Sequence, residues 1–197
     1  MAAPEILRFS GLDAAAKAAA ARIAAALGHD GPASFVATGG RTPGPIYDRL
    51  AAAPLGWARV WVTLSDERWV DETAPTSNAR LLRERLLTGL AAAARFVPLM
   101  GGEASPEAGL AAAEARVRAM PRPFDMVLLG MGDDGHVASL FPGGAVAAGD
   151  ALCIPVPVGG AEPRISLTLP ALLDSRQVLI FATGEAKWDV LQSALRG

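Results

Sequence analysis

The sequence predicts an α/β fold, a mainly parallel sheet covered by helices on both faces, and three observations lead there. Short apolar runs of strand length alternate with alanine-rich helical stretches almost throughout the 197 residues, the pattern of βα units feeding a parallel sheet. Four of those runs empty into polar clusters: GGRTP from Gly39, SDER from Ser65, GDDGH from Gly132 and TGEAK from Thr183. In a parallel sheet such strand ends share one edge and can converge on a ligand. No internal repeat, low-complexity tail or interdomain linker interrupts the chain, so a single domain over 1–197 is expected. With 51% hydrophobic residues, a chain of this size buries roughly 70% of the surface it exposes when unfolded.

Each element has its own local reason. Asp13 to Leu27 reads as a helix because alanine, the best helix former, fills most positions, with Ile23 and Leu27 on one face and Gly28 as the stop. His29 follows in the polar turn HDGP and reads as a solvated loop residue, with no second polar group paired to it by spacing. Ser34 to Thr38 is a short strand running into Gly39-Gly40-Arg41-Thr42-Pro43, and Gly44 to Ala53 is the helix after it. Strand, glycine turn and helix can set backbone N–H groups against an anion, although an ordinary βα turn has the same outline.

Val60 to Leu64 is the next strand, and it ends in Ser65-Asp66-Glu67-Arg68. Four polar residues suit a solvated loop, but Trp61 and Trp69 flank them and suggest a packed segment. Ser77 or Asn78 is a natural N-cap for the helix carrying Leu81, Leu82, Leu86 and Leu87; the other of the pair is then free to face a site. Phe96 to Leu99 reads as strand and Pro106 to Met120 as helix, with Leu110 and Val117 inward. Met126 to Leu129 is a buried strand that stops at Gly130-Met131-Gly132, before Asp133, Asp134 and His136. Leu152 to Val156 and the alternating RISLTL from Arg164 are further strands, with a Gly/Pro loop from Pro157 to Pro163 between them and a helical turn from Pro170 to Asp174 behind. Gln177 to Ala182 is the last clear strand, and a helix through Lys187, Val190, Leu191 and Leu195 closes the chain. Trp57 and Trp188 are expected to serve packing.

Composition excludes several classes. A net charge of −2, from 18 basic and 20 acidic residues, provides no basic tract for nucleic acid or an acidic membrane. An anionic ligand must therefore be held by local groups. The single Cys153 excludes an intramolecular disulfide and reads as a small buried hydrophobe, which suits a reducing compartment. The N-terminus lacks the pattern of a secretory signal, and Lys17 and Arg22 break the alanine-rich stretch, so no membrane span and a cytoplasmic location are expected.

The clusters divide into an anion-binding end and an acid/base end, as a small phosphorylated substrate requires. Gly39, Gly40 and Thr42 offer backbone donors and a hydroxyl, Lys187 an ammonium at a helix start, and Arg164 a fork for phosphate oxygens. His136 is the candidate general base, since an imidazole can take a proton from water near neutral pH and return it. Asp134, two residues before it, can orient the ring or the substrate. No metal is expected, because two distant histidines and one cysteine lack transition-metal spacing. GMGDDG also lacks the last glycine spacing of a dinucleotide fingerprint, and no P-loop is present.

GGRTP, SDERWV with SN further on, LLGMGDDGHVASLFPG, and RISLTLPALL with TGEAK together resemble the 6-phosphogluconolactonase family, in order from about residue 6 to the end. The resemblance implies a fold similar to glucosamine-6-phosphate deaminase and ribose-5-phosphate isomerase. It also implies hydrolysis of 6-phosphogluconolactone to 6-phosphogluconate in the oxidative pentose phosphate pathway, without a cofactor. On that reading His136 activates water, Arg68 stabilises charge on the carbonyl oxygen, and Asp134 assists positioning. Gly39, Gly40, Thr42, Arg164 and Lys187 hold the phosphate, while Asp66 and Asn78 shape the sugar pocket. The partner is then a small phosphorylated sugar lactone, with no nucleic acid, no membrane, and a monomer or weak homo-oligomer.

Two departures stand out. Val137 occupies a position where the family commonly has threonine, and the chain ends at Gly197, where relatives usually continue through another strand. The competing readings are a sugar-phosphate deaminase or isomerase and a non-catalytic sugar-phosphate sensor. The first would continue the histidine block into Phe-Asn-Glu-Pro, where this chain has Ser139-Leu140-Phe141-Pro142; the second would carry a DNA-binding helix or basic patch, and none precedes Glu5.

Overall fold

A computed structural model describes residues 4–144 and 149–196. The elements, in chain order, are α1 (Leu12–Leu27), β1 (Ala33–Ala37), α2 (Gly44–Ala51), β2 (Val60–Leu64), β3 (Asp66–Arg68), α3 (Asn78–Arg85) and β4 (Arg95–Val97). They continue with α4 (Pro106–Arg118), β5 (Met126–Leu129), β6 (Cys153–Val156), β7 (Arg164–Leu167), α5 (Leu169–Leu173), β8 (Val178–Ile180) and α6 (Glu185–Arg196). The predicted strands and helices recur with their ends moved by a few residues.

Five strands form the parallel sheet, in the order β4-β2-β1-β5-β8. β1 is its middle and is buried along its whole length. It runs beside β2 from Ala33 opposite Val60 to Ala37 opposite Leu64, and beside β5 with Phe35 opposite Met126. β5 is equally buried, so these two strands read as continuous apolar runs because both faces of a parallel sheet are covered. Phe35, Ile23, Leu27, Leu50 and Leu64 are among the largest fully buried side chains. Trp57 joins them as expected, 2% exposed, with its indole N–H donated to the Ala53 carbonyl. β8 forms one edge of the sheet, and its Val178 and Ile180 are exposed.

A second sheet is antiparallel, in the order β3-β7-β6, and it was absent from the sequence reading. The SDER cluster is therefore no solvated loop: Asp66 to Arg68 is a strand paired with β7, and Asp66 and Glu67 are buried. Ser65 makes the transfer between sheets. Its N–H bonds the Ala37 carbonyl of β1 at 2.7 Å, while its own carbonyl accepts the Leu167 N–H of β7 at 2.8 Å. One residue thus ends a parallel strand and begins an antiparallel one.

Capping resolves the choice between Ser77 and Asn78. Ser77 is the N-cap of α3, its hydroxyl accepting the Arg80 N–H at 3.1 Å, which leaves Asn78 for another task. Cys153 is buried, and desolvation pushes its thiol up to about 12. None of the described helices is long and apolar enough to cross a membrane.

Candidate active site

The four polar strand ends belong to β1, β2, β5 and β8, all strands of the parallel sheet, so their polar extensions reach the same edge. A pocket of about 200 Å³ opens there. Nine of the ten predicted site residues line it: Gly39, Gly40, Thr42, Asp66, Arg68, Asn78, His136, Arg164 and Lys187. The tenth, Asp134, is not part of the lining and touches His136 instead. A second hollow of about 270 Å³, between Arg118, Arg122, Leu152 and Pro170, contains none of them.

The histidine loop is closed by its own backbone. The Gly132 N–H donates to the His136 carbonyl at 2.8 Å, and Gly135 turns with φ 87°. Asp134 Oδ1 lies 2.6 Å from His136 Nδ1 and also accepts the His136 backbone N–H at 3.1 Å. That backbone bond, and then the ring bond, hold the Asp134 carboxyl below the usual carboxylate range. An ionised carboxylate only accepts, so the ring proton sits on Nδ1 and the Nε2 lone pair is left free. The ring packs against Phe141 with centroids 4.6 Å apart. Gly132 has no room for a Cβ, which would collide with the imidazole and the Asp134 carboxylate.

The opposite wall is cationic. Arg68 and Arg164 are direct cross-strand partners on β3 and β7, an arrangement of like charges that costs stability unless something anionic lies between or beside them. Arg68 gives one Nη1 bond to the Thr76 carbonyl at 2.6 Å, and Arg164 gives a longer one of 3.4 Å to Ser139. Both guanidinium Nε–H groups are buried without a partner. Buried donors of this kind are ordinarily satisfied; here two lack a partner, on residues that line one pocket. Lys187 adds a third cation, loosely paired at 3.9 Å with the exposed Asp133.

The glycine turn after β1 is braced from below. Tyr47 on α2 accepts the Thr38 N–H at 3.0 Å and donates to the Thr38 carbonyl at 2.5 Å, and burial raises its phenol pKa against the lowering effect of the Thr38 backbone. The Thr38 hydroxyl accepts the Gly130 N–H at 3.2 Å and so ties the ends of β1 and β5 together. The N–H groups of Gly44, Ile46 and Tyr47 are taken by the Arg41 and Pro43 carbonyls; an anion is left to the turn itself. Gly40 has φ 87°, and a Cβ on Gly39 would strike the Asn78 amide. Asn78 in turn donates from Nδ2 to the Asp66 carbonyl at 2.9 Å.

Sequence reasoning passed over Glu67, which points away from the pocket. Its carboxylate accepts the N–H groups of Arg68, Asn78 and Ala79 at 2.8, 2.8 and 2.7 Å, plus the Ser77 hydroxyl at 3.2 Å. Desolvation nevertheless outweighs these bonds and raises its pKa. Thr38, Phe141 and Ser139 were also missed. Among the described residues, no group of three His, Cys, Asp or Glu is placed to hold a metal ion.

Comparison with known proteins adds independent findings. The family model described as glucosamine-6-phosphate isomerases/6-phosphogluconolactonase matches residues 10–197. A 6-phosphogluconolactonase of Caulobacter vibrioides is 44% identical over 184 residues, covering 89% of this chain and 79% of that protein. Its counterpart in Pseudomonas aeruginosa is 42% identical, over 89% of this chain and 77% of the relative. Among solved structures, a 6-phosphogluconolactonase from Shewanella baltica superposes with a TM-score of 0.90 at 38% identity, covering 95% of this chain and 84% of that one. A monomeric glucosamine-6-phosphate deaminase superposes with a TM-score of 0.84 at 17% identity, over 98% and 88% of the two chains, a likeness of fold alone.

Proposed function

The chain belongs to the glucosamine-6-phosphate isomerase/6-phosphogluconolactonase family, and we infer that it works as one of the lactonases. It hydrolyses 6-phospho-D-glucono-1,5-lactone to 6-phospho-D-gluconate. The observation that carries this reading is the His136–Asp134 pair at one side of a pocket whose other side holds unsatisfied arginine donors. A base facing cations suits attack of water on a carbonyl in an anionic substrate.

In this reading the phosphate rests on Gly39, Gly40 and Thr42, with Arg164 and Lys187 supplying charge. Asn78 and Asp66 border the sugar. Water attacks the lactone carbonyl carbon while His136 Nε2 removes its proton, and Asp134 steadies the imidazolium that results. The carbonyl oxygen becomes an alkoxide, and the Arg68 guanidinium stabilises it; one such donor is worth roughly 3 kcal/mol in comparable sites. Collapse of the adduct breaks the bond from the carbonyl carbon to the ring oxygen. His136 returns its proton to that oxygen, and the product is an open-chain hydroxy acid.

The deaminase alternative lacks its partner glutamate. Here the residue bonded to His136 is Asp134, inside the same loop, and the chain runs on as Ser139-Leu140-Phe141-Pro142. The test follows lactone disappearance against spontaneous opening. A rate well above the blank for the phosphorylated lactone, with no ammonia released from glucosamine 6-phosphate, is expected. Ammonia release without lactone hydrolysis would overturn the reading.

A further inference from the structure

Ser139 has no task in the scheme above, yet its surroundings are unusual. It lies three residues past His136 and is 1% exposed. Its N–H donates to Ser166 Oγ at 3.3 Å, its hydroxyl lies 2.7 Å from Asp66 Oδ2, and Arg164 Nη1 approaches that hydroxyl at 3.4 Å. A guanidinium can only donate, so the hydroxyl accepts from Arg164 and sends its own proton to Asp66. The other Asp66 oxygen is taken by the Ser65 hydroxyl at 3.0 Å. Ser139 thus ties the histidine loop to both β3 and β7 of the antiparallel sheet.

The residue before it reinforces the point. Ala138, which lines the pocket, has φ 51°, and it is the non-glycine residue with positive φ among the described residues. An L-residue stays in that region only when its surroundings over-determine it. The turn around Ala138, closed by the Leu140 N–H on the Val137 carbonyl at 2.9 Å, and the bonds of Ser139 to Asp66, Ser166 and Arg164 are such surroundings. Two residues past Ser139, the Phe141 ring has the His136 ring 4.6 Å away and the Arg164 guanidinium 5.8 Å away. The imidazole and the cation thus share a neighbour on the segment that Ser139 anchors.

We propose that Ser139 is a positioning residue for the reaction: through one hydroxyl it pegs the His136 loop to the antiparallel sheet, in register with Arg164. The inference rests on the lactonase reading for its kinetic part only. Loss of the hydroxyl removes the ties to Asp66 and Arg164, leaves the Ser139 N–H on Ser166 and the Leu140 N–H on the Val137 carbonyl, and so loosens the loop enough to move the imidazole from its working place. Displacement by about 1 Å is enough to cost on the order of 100-fold in rate.

The experiment compares wild type, Ser139→Ala and Ser139→Cys below their thermal midpoints. It reads kcat and KM for 6-phosphogluconolactone above the spontaneous blank, and the imidazole proton resonances at one fixed pH. The chain has two histidines, so His29, on another part of the sheet, is an internal control. Expected for Ser139→Ala is a fall in kcat of about 10- to 100-fold, a smaller change in KM, and moved His136 resonances beside unmoved His29 ones. Ser139→Cys should fall between, and it carries the test should the alanine variant not fold. Wild-type kcat together with unmoved His136 resonances in a folded variant overturns the proposal, whatever its thermal midpoint. If wild type shows no rate above the blank while the His136 resonances still move, the lactonase reading fails and the peg stands.

Discussion

Two histidine–aspartate pairs occupy opposite ends of the sheet, and they have little else in common. At the carboxyl end His136 Nδ1 meets Asp134 Oδ1 at 2.6 Å, two residues away within one loop, and Asp134 is more than half exposed. At the amino end His29 Nε2 meets Asp125 Oδ1 at 3.1 Å, across 96 residues. Asp125 stands just before β5, with its side chain 7% exposed. It also accepts the Ser34 N–H at 2.9 Å and lies 3.2 Å from Arg176 Nε. His29 is thus no free loop residue, as its spacing suggested, but one of several donors to a buried carboxylate that holds the start of β1 to the start of β5. Arg176 is the single cation at that carboxylate; the other pair opens on a pocket with three. A His–Asp contact alone specifies no chemistry. What separates the two is whether the groups around them are already satisfied.

The largest effect expected is from removing the His136 imidazole. His136→Ala should lose about 10³-fold in kcat, leaving the rate near spontaneous opening while 6-phosphogluconate still binds by calorimetry. His29→Ala should keep wild-type kcat; equal losses in both would abolish the distinction between the pairs. Next comes Gly132→Ala. Its Cβ would displace a movable ring rather than backbone, so about 100-fold in kcat should go with the urea midpoint almost unmoved. A variant that unfolds instead would show that the loop is part of the core.

Asp125→Asn tests the amino-end pair. It replaces a buried acceptor of several donors, so stability should drop by about 2 kcal/mol in urea denaturation, with kcat unchanged in the folded fraction. A kcat loss there would break the comparison from the other side. The smallest effect concerns Asp134 and pH. Its folded pKa is lowered from 3.8 by the His136 N–H and ring. Its contribution to stability is therefore present above the unfolded value and is lost as pH falls through the depressed folded one. Thermal midpoints of wild type and Asp134→Asn should differ most above about pH 4, draw together as pH falls further, and coincide only below the depressed folded pKa; a gap that persists in strong acid would assign the difference to another cause.

The legible parts of this chain were those with short-range causes. Alanine-rich periodicity placed α1 and α4, unbroken apolar runs placed β1, β2 and β5, and glycines marked the turns after β1 and β5. From these the shared edge followed, and with it Gly39, Gly40, Thr42, His136 and Lys187, while Asp66, Arg68 and Asn78 were assigned to the pocket through the family resemblance. Asp66 to Arg68 was illegible as a strand because three polar residues lack apolar alternation; the pairing of β3 with β7 supplies what the pattern does not. Glu67 gave no signal either, since nothing in SDER says which carboxylate faces the pocket and which caps α3. Ser139 was hidden for the same reason. Its partner Asp66 is 73 residues away, and no spacing rule joins them.

By itself, then, the sequence determined the α/β class, the four polar strand ends and the residue types that meet there. Periodicity, propensity and turn chemistry act within a few residues and are written locally. The tertiary structure alone decided which groups are satisfied: Asp125 fully engaged, Glu67 turned inward, Arg68 and Arg164 side by side with their buried Nε–H groups unpartnered. Burial and hydrogen-bond satisfaction depend on what distant segments bring to the same place. Only folding brings them there.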